Sequence, residues 1–209
     1  MTLEELFRRC LDADYVHVEN SGDYAIERSR DTLYIYLEHS NGNEDWKNNL
    51  DFPARAYKRM GKTAWYAHRG FLRVWKSIEE RVGEIILSTD AGNIVVVGYS
   101  HGGALAVLCH EYIWFNRPDM RKTLLGFGFG APRVIWKPND DVKERWRRFT
   151  LVRNPDDAVT HLPPEFLGYR HVGNILNISE KGSYSPIDAH REENILKALA
   201  HRSESLPFQ

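Results

Sequence analysis

Cysteine is scarce, with only Cys10 and Cys109 in 209 residues. Two are too few for a disulfide framework, and each falls in a helical stretch where a buried thiol packs as a small apolar side chain. An excess of charge of either sign is also missing. Twenty-eight Lys and Arg stand against 29 Asp and Glu, for a net charge of −1. That leaves no long-range field to gather a polyanion or an anionic membrane, and argues against a nucleic-acid partner. No apolar run approaches the ~20 residues needed to span a bilayer, so membrane contact is expected to be transient at most. The first residues, Met1-Thr2-Leu3-Glu4-Glu5-Leu6, lack the basic and apolar regions of a secretory leader, and the expectation is a cytoplasmic protein. No two histidines share a helix face at metal-ligand spacing, so neither metal nor cofactor is expected. No repeat, low-complexity tract or linker divides the chain, which reads as a single domain over residues 1–209. Nothing in it speaks to oligomeric state.

What is present is ordinary globular composition, 42% hydrophobic and 27% charged, with periodicities that alternate between strand and helix. Leu3, Leu6 and Phe7 share one helical face, predicting a helix over about 2–12. Tyr24–Arg28 and Leu33–Leu37 are β-rich runs joined by a turn at Ser29–Asp31. Trp46 and Leu50, four apart in a polar Asn-rich stretch, would fit one side of a short helix. Phe71, Val74, Trp75, Ile78, Val82, Ile85 and Ile86 recur at three- and four-residue steps, predicting a helix over about 68–88. Asn93–Val97 is a β-branched run of the kind that is apolar on both faces in a central parallel strand. A helix over about 102–115 and strands at 123–129, 148–152 and 172–178 follow, with a last helix over about 188–203. Strands alternating with helices imply βαβ units. The expected class is α/β, a mostly parallel central sheet with helices on both faces.

One segment carries chemistry. Gly98-Tyr99-Ser100-His101-Gly102 is a G-x-S-x-G pattern, preceded by an apolar strand and followed by an apolar helix. A tight strand-to-helix turn projects the serine hydroxyl, and glycines on either side let neighbouring backbone pass close. The free N–H groups at the helix start face the site of developing negative charge. A serine hydroxyl needs an adjacent base, itself oriented by a carboxylate. In the α/β-hydrolase fold the chain order is Ser, then Asp or Glu, then His. Asp156 and Asp157 both follow the strand that ends near Val152, and either fits as the acid. Of His161, His171, His190 and His201, His190 lies at the loop-to-helix junction after the last strand, where the base belongs. His171 is the reserve. Gly126-x-Gly128-x-Gly130 does not have dinucleotide spacing and runs directly into Pro132.

Several ordered segments together resemble the class 3 lipases, the fungal-type triglyceride lipase family. Gly98–Ala106 looks like that family's G-H-S-L-G-G-A-L-A. Phe127–Val134 is similar to its F-G-x-P-R-V with one residue extra, and Asp157–Pro164 to its D-x-V-x-x-L-P-P. Gly168–Gly173 matches G-Y-x-H-x-G, and His68–Phe71 matches H-x-G-F at a helix start. The resemblance covers about residues 24–195. It implies an α/β-hydrolase fold and a Ser100, Asp157, His190 triad, selecting Asp157 over Asp156 and leaving His171 outside the chemistry. It places Leu37-Glu38-His39-Ser40 at the family's oxyanion segment, with Ser40 as one donor and the backbone N–H of His101 as the other. His39 replaces the usual glycine there. Tyr99 replaces the usual histidine before the serine, and His101 the usual leucine after it. The His101 side chain, adjacent to the nucleophile, is expected to line the pocket.

The expected function is therefore hydrolysis of a small-molecule or lipid ester through an acyl-enzyme, the chemistry of an esterase or lipase in lipid metabolism. Residues 41–50, in the place of the family's lid, are mostly polar, which predicts weak interfacial activation and short or soluble acyl esters. The same triad would serve a thioesterase or a phospholipase A1-like acyl hydrolase. A catalytically degenerate fold acting as a binding protein is the alternative from another class. Arg145, Arg147 and Arg148 read as a solvated helix face rather than a phosphate site.

Overall fold

The structure is a computed structural model and describes residues 1–17, 22–38, 52–59 and 62–202. Its centre is a six-stranded sheet built from β1 (Tyr24–Ser29), β2 (Thr32–Leu37), β5 (Asn93–Tyr99), β6 (Leu124–Phe129), β8 (Phe149–Arg153) and β10 (Asn174–Asn177) in that spatial order. The β1–β2 hairpin is antiparallel, and every other neighbour in the sheet is parallel. Val97 of β5 lies between Tyr36 of β2 and Phe127 of β6, at the middle of the sheet.

The alternation of a strand decides which layer each side chain joins. Ile94 and Val96 pack into one core with Leu33, Ile35, Phe71, Trp75, Ile78 and Leu105. Val95, Val97 and Tyr99 pack into the other, with Leu3, Leu6, Phe7, Phe127, Phe129, Ile195 and Leu199. Each fully buried Val or Ile contributes roughly 1.5–3 kcal/mol of transfer free energy, which is why this strand is apolar on both faces.

On the second face lie α1 (Leu3–Leu11) and a C-terminal helix, Glu192–Ala200. A capping box starts α1: the Thr2 hydroxyl accepts the Glu5 N–H at 3.1 Å, and the Glu5 carboxylate accepts the Thr2 N–H at 2.7 Å. Leu3, Leu6, Phe7 and Cys10 then bury one stripe, while Arg8 and Arg9 stay in water. On the first face lie α2 (Arg69–Ser88) and α3 (His101–Asn116). From His101 to Glu111, α3 is buried all round, between the sheet and its neighbours. Its sequence is accordingly apolar without a polar face. The one carboxylate in that stretch, Glu111, is fully buried and held by Arg145 at 2.5 Å.

A second, antiparallel sheet was not foreseen from the sequence. It joins β3 (Ala54–Arg59), β4 (Lys62–His68), β7 (Ile135–Trp136) and β9 (Tyr169–Arg170) in that order. Tyr57, Trp65, Ala67 and Ile135 carry this sheet into the core: Tyr57 and Trp65 stack across the hairpin with ring centres 4.4 Å apart, and Trp65 meets Trp146 edge-on. The remaining elements keep sequence order and number as α4 (Asp140–Lys143) and α5 (Glu192–Ala200). The stretch at 188–203, read as one helix, begins as a separate 3-10 turn at Asp188–His190 before α5. Trp46 and Leu50 lie outside the described residues.

Candidate active site

The turn between β5 and α3 is made at a single residue, Ser100. Ser100 has φ 53° and ψ −118°, a left-handed backbone that a side chain adopts only when its surroundings over-determine it. Its N–H is held by the Phe129 carbonyl at 2.9 Å, and its own carbonyl accepts from Ala104 at 3.3 Å. Side chains at the flanking glycines are excluded by backbone. A methyl on Gly98 would overlap the Gly102 carbonyl, and one on Gly102 would overlap the carbonyls of Leu37 and Glu38. The same close approach brings the chain leaving β2 directly against the start of α3.

The Ser100 hydroxyl thus projects toward the C-terminal edge of the parallel strands. His190 meets it there. Nε2 of His190 lies 2.8 Å from Ser100 Oγ, and Nδ1 lies 2.8 Å from Asp157 Oδ2. Asp157 is fully buried, and its other oxygen accepts the Val159 N–H at 2.8 Å. A carboxylate fixed in this way can only accept, so the ring proton sits on Nδ1 and leaves Nε2 free to accept the serine proton. Gly130, at φ 56°, passes behind this pair, where an added Cβ would lie 3.0 Å from the imidazole and 3.1 Å from the carboxylate.

The other sequence candidates are elsewhere. Asp156 turns outward and accepts the N–H groups of Gly182 and Tyr184, and these donors hold its carboxyl below the usual range. It therefore pins the loop that leads to His190. His171 bonds the Thr160 carbonyl through Nε2 at 2.7 Å, and burial pushes its pKa down to about 3. It is a neutral structural donor. His161 sits on the Pro155 carbonyl, and His201 closes α5. The ring of His101, expected to line the pocket, is buried and meets Phe71 edge-on. Its backbone N–H stands at the first position of α3, directly after the serine. Ser40 and residues 41–50 lie outside the described residues.

Two side chains with no chemical signature in the sequence hold the site together. Asn154, fully buried, donates to the Ala189 carbonyl at 2.8 Å, one residue before the histidine. Arg133 donates to the carbonyls of His161 and Pro163 and to Glu165, tying down the loop after Asp157. Neither role shows in spacing, because each depends on partners about 30 residues away. Among the described residues, no group of His, Cys, Asp and Glu could hold a metal ion, and Cys10 and Cys109 are free and buried.

A family model for lipases of class 3 matches residues 34–167, more than half of the chain. The chain belongs to the class 3 lipase family. The match to the class 3 lipases contains Ser100 and Asp157 and ends before His190. A secreted mono- and diacylglycerol lipase of Fusarium solani is 28% identical over 160 residues, covering 70% of this chain and 44% of that one. A Rhizomucor miehei lipase is 26% identical over 155 residues, covering 69% and 41%. The chain therefore spans less than half the length of these curated relatives. In fold it is similar to a fungal lipase solved with an inhibitor, with a TM-score of 0.73 at 20% identity over 90% of this chain and 83% of the other. This α/β-hydrolase likeness agrees with the mostly parallel sheet expected from the sequence. The secreted Fusarium relative lends the expected cytoplasmic location no support. Among the described residues no helix is long and apolar enough to cross a membrane.

Proposed function

We propose that this class 3 lipase-family chain is a serine carboxylic-ester hydrolase. The observation that carries the reading is the imidazole of His190, in hydrogen-bond contact with Ser100 on one side and buried Asp157 on the other. In this reading Ser100 Oγ attacks the ester carbonyl as His190 Nε2 takes its proton. The charge that appears on the imidazole is stabilised by Asp157, which also fixes the tautomer. The protonated His190 then delivers its proton to the leaving alcohol, and the acyl group stays on Ser100. Water, deprotonated by His190 in turn, releases the acid and restores the hydroxyl.

The oxyanion would be met by the N–H of His101 and by Ser40. The close passage of Leu37 and Glu38 over Gly102 supports this, because it brings the chain to the start of α3 two residues before Ser40. One such donor is worth roughly 10²–10³ in rate. The polar composition of residues 41–50 supports short or soluble acyl esters over an oil interface, with transient membrane contact at most.

The test is a panel of p-nitrophenyl esters graded by acyl length, run on wild type and Ser100→Ala. Loss of kcat on the order of 10⁶ in the variant is expected, with the best wild-type rates on short chains below their solubility limit. Turnover that survives the substitution unchanged would refute the reading.

A further inference from the structure

Asp157 and Ser100 grip the edge of the His190 ring, and two such contacts leave its face and its backbone to be fixed by something else. Tyr99 fills that place, in the position where the family resemblance has a histidine. Its ring stacks on the imidazole, with centres 5.2 Å apart and planes 25° from parallel. Its hydroxyl donates to the carbonyl of His190 at 2.5 Å. That carbonyl takes no bond from the N–H four residues on, because Asn194 N–H turns to Arg191 instead. Tyr99 is itself buried, and burial beside Glu192 and Asp157 raises the pKa of its phenol, so it stays a protonated donor.

Tyr99 is held in turn by α1. Phe7 meets its ring edge-on, with centres 5.4 Å apart, and packs at 4.6 Å on Phe129. The stack therefore runs from α1 through Tyr99 to the imidazole. Neither end of it lies in the segment matched by the family, which begins at residue 34 and stops at 167.

We propose that Tyr99 is a positioning residue for His190, with its hydroxyl setting the height of the backbone, its ring setting the tilt of the imidazole, and α1 bracing it from behind. The inference rests on the hydrolase reading above. It matters because misplacing a reacting group by about 1 Å can cost about 10²-fold in rate. A histidine at 99 would be shorter than tyrosine and would lack the terminal hydroxyl that meets the His190 carbonyl.

The test compares Tyr99→Phe and Tyr99→Leu with wild type by two readouts. The first is steady-state hydrolysis of a soluble p-nitrophenyl ester. The second is the low-field proton resonance of His190 Nδ1–H, which needs no turnover. Tyr99→Phe keeps the stack and loses the hydroxyl. Its kcat should fall about tenfold with KM unchanged, and its Nδ1–H resonance should shift. Tyr99→Leu loses both, and should fall about 10²-fold in kcat with the resonance broadened away. Ile86→Val, a buried change in α2 on the opposite face, should leave both readouts alone while lowering the melting temperature. A Tyr99→Phe protein that matches wild type in kcat and in the resonance overturns the proposal, whether or not Tyr99→Leu folds. Ser100→Ala, run alongside, separates the two ideas. If wild-type turnover proves independent of Ser100, the hydrolase reading fails, and the resonance alone then decides whether Tyr99 positions the ring.

Discussion

Acid should weaken this fold through an imidazole far from the active site. His110 lies in α3, fully inside, edge-on to Phe149 and against Gly126. Neither of its ring nitrogens meets a hydrogen-bond partner among the described residues. Burial, with Arg148 nearby, pushes its pKa from 6.5 down to about 3. The folded protein therefore refuses a proton that the unfolded chain accepts. Between those two values the unfolded state binds more protons, so stability rises with pH there and is lost as pH falls below 6.5. At about pH 4.5 the unfolded imidazole is two units below its pKa, and the penalty is about 2.7 kcal/mol, a large share of the 5–15 kcal/mol typical of a domain. His110→Leu fills a similar volume and removes the proton site. Urea unfolding of both proteins at about pH 7.5 and about pH 4.5 measures the difference. The advantage of the variant over wild type should grow by about 2.7 kcal/mol on acidification. Carboxylate titration contributes to both proteins alike and cancels. Parallel losses in the two proteins would refute the reasoning.

Two further perturbations follow from named contacts. Arg145→Met leaves the fully buried carboxylate of Glu111 without its guanidinium, and thermal or urea unfolding should show a loss of about 3–5 kcal/mol. Adding Glu111→Gln should recover a good part of it. Asp157→Asn keeps the shape of the acid but can present an N–H to His190 Nδ1, which moves the ring proton to Nε2 and blocks acceptance from Ser100. The expected fall in kcat is about 10⁴, whereas Asp156→Asn, which touches only the Gly182 loop, should cost less than about tenfold.

The parts of the fold that could be read in advance are those where one force dominates. β5, the turn at Ser100 and α3 are legible because a strand buried on both faces must be apolar, and a helix pressed on a sheet near a tight turn must start with small residues. The second sheet hid itself. In Ala54–Arg59 both Arg55 and Lys58 are exposed, a register shift against the partner strand falls between Tyr57 and Lys58, and two of the four strands are only two residues long. No periodicity survives in segments that short.

The site shows the same division. Ser100 was marked by local pattern and His190 by chain order. Asp156 and Asp157 could not be separated by their own residues, since adjacent aspartates in a turn look alike. The family resemblance selected Asp157, and the folded chain sends Asp156 to Gly182 and Asp157 to His190. The arginines at 145–148 likewise read as one solvated face. In the structure Arg147 is exposed beside Glu144, but Arg145 holds Glu111 and Arg148 bonds the Leu124 carbonyl. Such long-range partners leave no trace in spacing.

The central claim is that His190 activates the hydroxyl of Ser100. It is tested most directly by measuring the rate at which a fluorophosphonate labels the protein and locating the adduct by peptide mass spectrometry. A single adduct on Ser100 is expected, absent in Ser100→Ala and formed about 10³-fold or more slowly in His190→Ala. An adduct on another residue, or a His190→Ala protein labelled at the wild-type rate, would contradict the account.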